Sequence, residues 1–107
     1  LARQRAYRGA VAVRRGQFGD ATTEFGWAAT LAPDTSAWHV GLAVAHASLG
    51  DLVEAMEHVD AALAVDPFNK TAVQNGLRYA DAAGDAAARA RYDAFAERLG
   101  LEVTTAD

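Results

Sequence analysis

The stretch SAWHVGLAVAHASLGDLVEAMEHVDAALAVDPFN, residues 36–69, is one copy of a unit that recurs along the chain with a 34-residue period. Gly50 near its centre is matched by Gly16 one period earlier and by Gly84 one period later. Ala55, Ala62 and Pro67 are matched in the same way by Ala21, Ala28 and Pro33. Ala32-Pro33-Asp34 and Asp66-Pro67-Phe68 close the first two copies at equivalent places. On either side of Gly50 the apolar residues recur with helical period, so each copy reads as two helices. The pattern predicts helices over 2–15 and 20–31, 36–49 and 52–65, and 70–83 and 86–99. A pair of helices cannot bury its own apolar face, so such units stack, and about three are needed for stability.

The punctuation agrees with that division. Gly50, like its two equivalents, stops the first helix of its pair where a left-handed backbone is least costly for glycine. Asp51 followed by Glu54 predicts a capping box at the next helix start, and Asp20 and Asp85 are read as the N-caps of the flanking copies. Pro33 and Pro67 fall just past helix ends, where a missing N–H removes no helical bond. The residues 104–107 carry no helical period and read as a frayed tail. The expected organisation is one domain over 1–103, with repeats at about 2–34, 36–69 and 70–103.

These residues resemble the tetratricopeptide repeat. In the second copy Leu42, Gly50, Asp51, Glu54, Ala55, Ala62, Leu63 and Asp66-Pro67 fall where that family places packing and turn residues; in the first, Gly9, Ala21, Phe25, Ala28 and Pro33 do. The resemblance implies an all-α, right-handed superhelical array of three helix–turn–helix repeats, six helices in all. Departures are visible. Trp38 lies one residue early, His46 stands where tyrosine is usual, Arg89 and Asp93 replace a small and an aromatic residue, and Leu101 replaces proline. A degenerate last repeat suits a polar-faced cap. At the C-terminal end, Ala82-Ala83-Gly84-Asp85 with Tyr92, Phe95, Leu99 and Leu101-Glu102 is also similar to the bacterial transcriptional activator domain, although Val103 stands where proline is often found.

Composition narrows the function. Hydrophobic residues make up 51% of the 107, which excludes disorder, while no apolar run reaches the roughly 18 residues of a membrane span. Cysteine is absent, so thiolate metal sites and disulfides are excluded. The chain opens on Leu1 rather than Met, which reads as a segment of a longer protein or a processed product, and no secretory segment is visible, which reads as cytoplasmic. Lys70 is the single lysine, and the arginine- and alanine-rich usage looks like that of a GC-rich bacterial genome. Net charge is −4, which argues against direct nucleic-acid binding. Its distribution is uneven: Arg3, Arg5, Arg8, Arg14 and Arg15 crowd the first helix without an acid, whereas every charged residue from 16 to 69 is acidic.

No catalytic, cofactor-binding or metal site is expected. His39 and His46 are seven residues apart, two helical turns, too far to share one metal. Glu54 and His58 have the spacing of a surface ion pair. There is no Walker loop, dinucleotide fingerprint or nucleophile elbow. Trp27, Phe18, Phe25, Tyr79, Tyr92 and Phe95 read as core filling, with Trp38 the aromatic whose register turns it toward the rim. Asp51, Glu54, Glu57 and Asp60 read as a solvated outer face. Arg5, Arg8 and Arg15 fall within about 80° of one another on their helix, either solvated or placed to dock onto a preceding repeat.

In the family it resembles, the first helix of each repeat lines a concave groove that takes peptides or helices. The 34-residue step then stacks Ala6, Val40 and Gln74 in one column and Ala10, Val44 and Arg78 in the next, flanked by Arg3 and Arg14. The expected floor is small and apolar with a positive rim, so the expected partner is a protein segment with small apolar and acidic side chains. A subfamily clamps C-terminal carboxylates with lysines and asparagines; here those positions hold Ala6, Ala10, Gly41, Thr71 and Asn75, of which Asn75 alone could donate to a carboxylate, so that clamp is not expected. Two functions remain open: a non-catalytic protein-interaction scaffold, or a regulatory and oligomerisation module of a bacterial transcriptional regulator, with homo-oligomers possible under either.

Overall fold

The computed structural model describes residues 1–101. Six helices follow one another: α1 (Ala2–Arg14), α2 (Phe18–Leu31), α3 (Ser36–Ser48), α4 (Leu52–Val65), α5 (Lys70–Ala83) and α6 (Ala86–Leu99). There is no strand among the described residues. The helices form three antiparallel pairs stacked in chain order, the all-helical repeat array the sequence predicts. The expected tail at 104–107 and the end of the third repeat at 103 lie outside the described residues.

Each pair turns on a left-handed glycine, with φ 72° at Gly16, 85° at Gly50 and 66° at Gly84. The residue after it donates back into the helix just ended: Gln17 to the Ala12 carbonyl, Asp51 to His46 and Asp85 to Ala80, at 2.8, 2.9 and 2.9 Å. This satisfies carbonyls that the helix end would otherwise orphan. The next helix restarts at once, so α2 begins at Phe18, its N-cap is Gln17, and Asp20 sits inside the first turn rather than capping it. Asp85 does cap, accepting from Ala88 N–H at 3.0 Å. Asp51 holds the N-cap position without a side-chain cap bond, so the expected capping box is not formed. Its carboxylate and that of Glu54 point instead at His46.

Two apolar clusters share α3. Leu42 and Ala45 join α1 and α2 around Phe25, while Ala43 joins α4, α5 and α6 around Val59 and Tyr92. The Phe25 ring is wedged between two glycines. A Cβ at Gly9 would lie 2.7 Å from one side of the ring, and one at Gly41 would lie 2.5 Å from the other. Tyr92 repeats the arrangement against Gly76, with its hydroxyl donating to Asp60 at 2.9 Å. Burial and that hydrogen bond hold the Tyr92 phenol well above its ordinary pKa.

Tyr92 also corrects the reading of the last helix. The buried positions run Ala21, Ala55, Ala88 and Phe25, Val59, Tyr92, so the last step is one residue shorter than the first. Arg89 and Asp93 therefore replace nothing in the core. They sit part-buried at the surface, with Arg89 bonded to both Asp81 and Asp93. Gly9 to Phe25 and Gly76 to Tyr92 are equal separations in sequence, but the turn glycine moves by one within that span. The third hairpin thus keeps its total length while its near arm gains a residue and its far arm loses one.

The backbones of the first helices of the three pairs lie side by side, α1 against α3 and α3 against α5, whereas the backbones of α2 and α4 stay apart, as do those of α4 and α6, which meet through the long side chains of Arg91 and Tyr92. The array accordingly bends around the α1–α3–α5 side.

Candidate functional site

The surface made by α1, α3 and α5 sorts the expected groove residues into three kinds. Arg3, Ala10, Arg14, Gln74 and Arg78 are exposed, and Val40 and Val44 are half-buried. Val40 packs on the second apolar cluster. Ala6 and Asn75 are not on the surface: they are 5% and 4% exposed. Ala6 belongs to the Phe25 cluster. Asn75 is held by Arg78, whose guanidinium donates to its side-chain carbonyl. The one amide the sequence offers to a carboxylate ligand is thus withdrawn by burial, with its oxygen bonded to Arg78.

Register matters here as in the core. Counted from the Gly76–Tyr92 contact, Leu77 stands in line with Val44 and Val73 with Val40, both one residue before the positions a strict 34-residue step selects. Val73 is fully buried, so the third repeat offers the surface mainly Gln74 and Arg78.

The charges of this face are lopsided. Arg3 and Arg14 form no ion pair among the described residues, while Asp81, the acid of the same surface, is tied to Arg89. The acids of α4 lie elsewhere and are partly engaged: Asp60 pairs with Arg91 at 3.1 Å, and Glu54 lies 3.2 Å from His46. Glu57 is exposed. No Glu54–His58 ion pair forms, because Glu54 turns across to α3. Among the described residues no group of three or more His, Cys, Asp or Glu side chains is placed to hold a metal ion.

A second surface takes in two of the three arginines, Arg8 and Arg15, that the sequence groups on the first helix. Tyr7, Arg8 and Val11 of α1 and Arg15 just past its end, with Gln17, Asp20, Thr23 and Glu24, line an open cleft of about 400 Å³. Tyr7 is 67% exposed at the position that Gly41 occupies one repeat later, where α2 covers it. Arg5 takes no part, since it turns to α2, pairing with Glu24 at 3.4 Å and lying over the Trp27 ring. Trp27, expected in the core, is half-exposed beneath that guanidinium. Trp38 errs the other way. Its one-residue shift turns it onto the Phe25 cluster with its indole Nε1 buried, not toward the rim.

Helical hairpins turning on a left-handed glycine, stacked in line with their first helices on the inside, define a helical-repeat solenoid. The profile of the tetratricopeptide repeat family matches residues 8–70, more than half of the chain, and the chain belongs to that family. No curated protein matches it. The family's general role is protein–protein interaction, and it is typically non-catalytic. No described helix is long and apolar enough to cross a membrane.

Proposed function

We propose that this chain is a non-catalytic scaffold that binds a peptide or helix of a protein partner along α1, α3 and α5, and that residues 1–103 act as one domain of three repeats. The observation that carries this reading is the exposed row Arg3, Arg14 and Arg78 beside the low floor of Ala10, Val40, Val44 and Gln74, on the side toward which the array bends. Small side chains let a partner backbone approach closely, and unpaired arginines favour acidic residues at its edges. In a chain of net charge −4 this is a local reversal of sign, which selects for partner orientation more than for raw affinity.

The test is a titration of a partner recovered by pull-down against three variants. Val44→Glu places an acid on the floor and weakens binding with little change in melting temperature. Arg78→Glu weakens it too, by an amount that shrinks as salt rises, because exposed charges are screened. Glu57→Lys, on the outer helix, leaves affinity unchanged. Loss of binding in Glu57→Lys with full binding in Val44→Glu would move the partner to the convex face and overturn the reading.

A further inference from the structure

The seam between α3 and α4 holds a histidine cluster that the groove does not use. The His46 and His58 rings stack with centroids 5.1 Å apart and planes 15° from parallel. The His46 side chain is 16% exposed, and its Nδ1 lies 3.2 Å from Glu54 Oε2 and 3.8 Å from Asp51 Oδ2. His39, near the start of α3, has a buried Nδ1 without a hydrogen-bond partner, while its Nε2 lies 3.3 Å from the Pro33 carbonyl. Rings stacked face to face direct their nitrogen lone pairs along parallel planes, which do not converge on a common metal.

We propose that the His46–His58 stack is an acid-sensitive latch of the second repeat, holding α3 on α4 while at most one ring is protonated and loosening when the second takes a proton. His46 Nδ1 is buried and faces the carboxylates of Glu54 and Asp51 without a hydrogen bond to either. A cation on His58 has no carboxylate within ion-pair distance among the described residues and faces the His46 ring directly. Burial first, then His46 and His39 from α3, lower the His58 pKa below the ordinary imidazole value, against an opposing pull from Glu54 and Glu57 of its own helix. The other helices packed on this hairpin hold their charges elsewhere: Glu24 of α2 on Arg5, Asp81 of α5 on Arg89, and Arg78 of α5 on Asn75. Asp20 of α2 lines the cleft beside Tyr7, and Lys70 is exposed at the start of α5.

The sign follows from linkage. A histidine whose pKa is lowered by folding binds its proton more readily in the unfolded chain, so acid favours unfolding. The stabilisation is whole above the ordinary imidazole pKa of 6.5 and is lost as the pH falls through that value toward the lower folded one.

The experiment combines an NMR titration of the imidazoles with amide hydrogen exchange at about pH 7.5 and about pH 5.5, a range in which histidine is the side chain that titrates. After correction for intrinsic exchange, the wild-type chain should lose protection several-fold in α3 and α4 on acidification, and less in α1 and α2. His58→Gln should hold that protection nearly constant. In His46→Gln the His58 midpoint should rise toward the ordinary value. Equal acid-induced loss in wild type and His58→Gln, or a His58 midpoint unmoved by His46→Gln, would overturn the latch. Should either variant fail to fold, the wild-type titration still decides. A His58 midpoint at or above the ordinary value refutes the proposal, and a lowered one that coincides with loss of α3–α4 protection supports it.

Discussion

Gly41→Ala adds a single methyl group, and the structure sets its consequence. The new Cβ would stand 2.5, 2.6 and 2.7 Å from Cε1, Cδ1 and Cζ of Phe25. Comfortable carbon contacts begin at about 3.5 Å, so the ring must retreat by about 1 Å. Retreat is blocked, because the opposite side of the ring already lies against Gly9 of α1. Overpacking of this kind costs about 1–3 kcal/mol, while exchanging glycine for alanine inside a helix returns up to about 1 kcal/mol. The net is a destabilisation of about 1–2 kcal/mol. For a domain of this size each kcal/mol moves the midpoint by about 4–8 °C, so thermal unfolding followed by circular dichroism should shift down by roughly 5–15 °C. Gly26→Ala is the matched control, a helical glycine whose added Cβ meets nothing within 4 Å. It should raise the midpoint, gaining about 0.5–1 kcal/mol. In a Phe25→Leu background the penalty of Gly41→Ala should shrink, since the ring atoms that clash are gone. A Gly41→Ala chain as stabilised as Gly26→Ala would show that the ring is not wedged, and the account of the first joint would fail.

Two further outcomes follow from the caps and from the second joint. Asp85→Ala removes a formed N-cap and should cost about 1 kcal/mol, whereas Asp51→Ala, which removes none, should cost clearly less in the same denaturant titration at pH 7.5. Tyr92→Phe keeps the ring against Gly76 but removes the hydroxyl bonds to Asp60 and the Met56 carbonyl, and should cost about 1 kcal/mol by the same measurement. Arg91→Ala, which removes an exposed ion pair, should cost less than Tyr92→Phe.

The fold is legible because its signals are local and repeated. A glycine that must adopt positive φ, a proline that cannot continue a helix and alanines at close crossings recur at one step, and each recurrence reinforces the others. What escapes is rotational register. A strict 34-residue step puts Arg89 and Asp93 in the core and passes over Ala88 and Tyr92, one residue earlier. One residue on a helix is about 100° of rotation, so a slip too small to disturb the turn glycine changes which side chains are buried. The site is less legible for the same reason and one more. A column of residues states alignment along the stack, not depth, so Ala6 can stand in line with surface residues and still be buried. Asn75 carries the donor a carboxylate needs, but it is buried, and its oxygen is taken by Arg78 of its own helix. The stacked histidines come from different helices, and no spacing along one helix reveals them.

The two joints of the array are built from different materials. Between the first and second pairs, the described residues show apolar contact: Phe25 between its two glycines, with Trp38, Leu42 and Ala45 beside it. Between the second and third, directional bonds are added, as Asp60 receives both Arg91 and the Tyr92 hydroxyl, and Asn69 donates to Ser36 at 2.8 Å. Apolar contact resists separation but tolerates sliding, whereas hydrogen bonds weaken steeply once bent. Elements loaded in series share the force and divide the displacement according to their compliance. Under the groove binding proposed above, a partner that spreads or tightens the α1–α3–α5 face is expected to shift α1 and α2 against the four helices tied by those bonds, carrying the arginines of α1 with them.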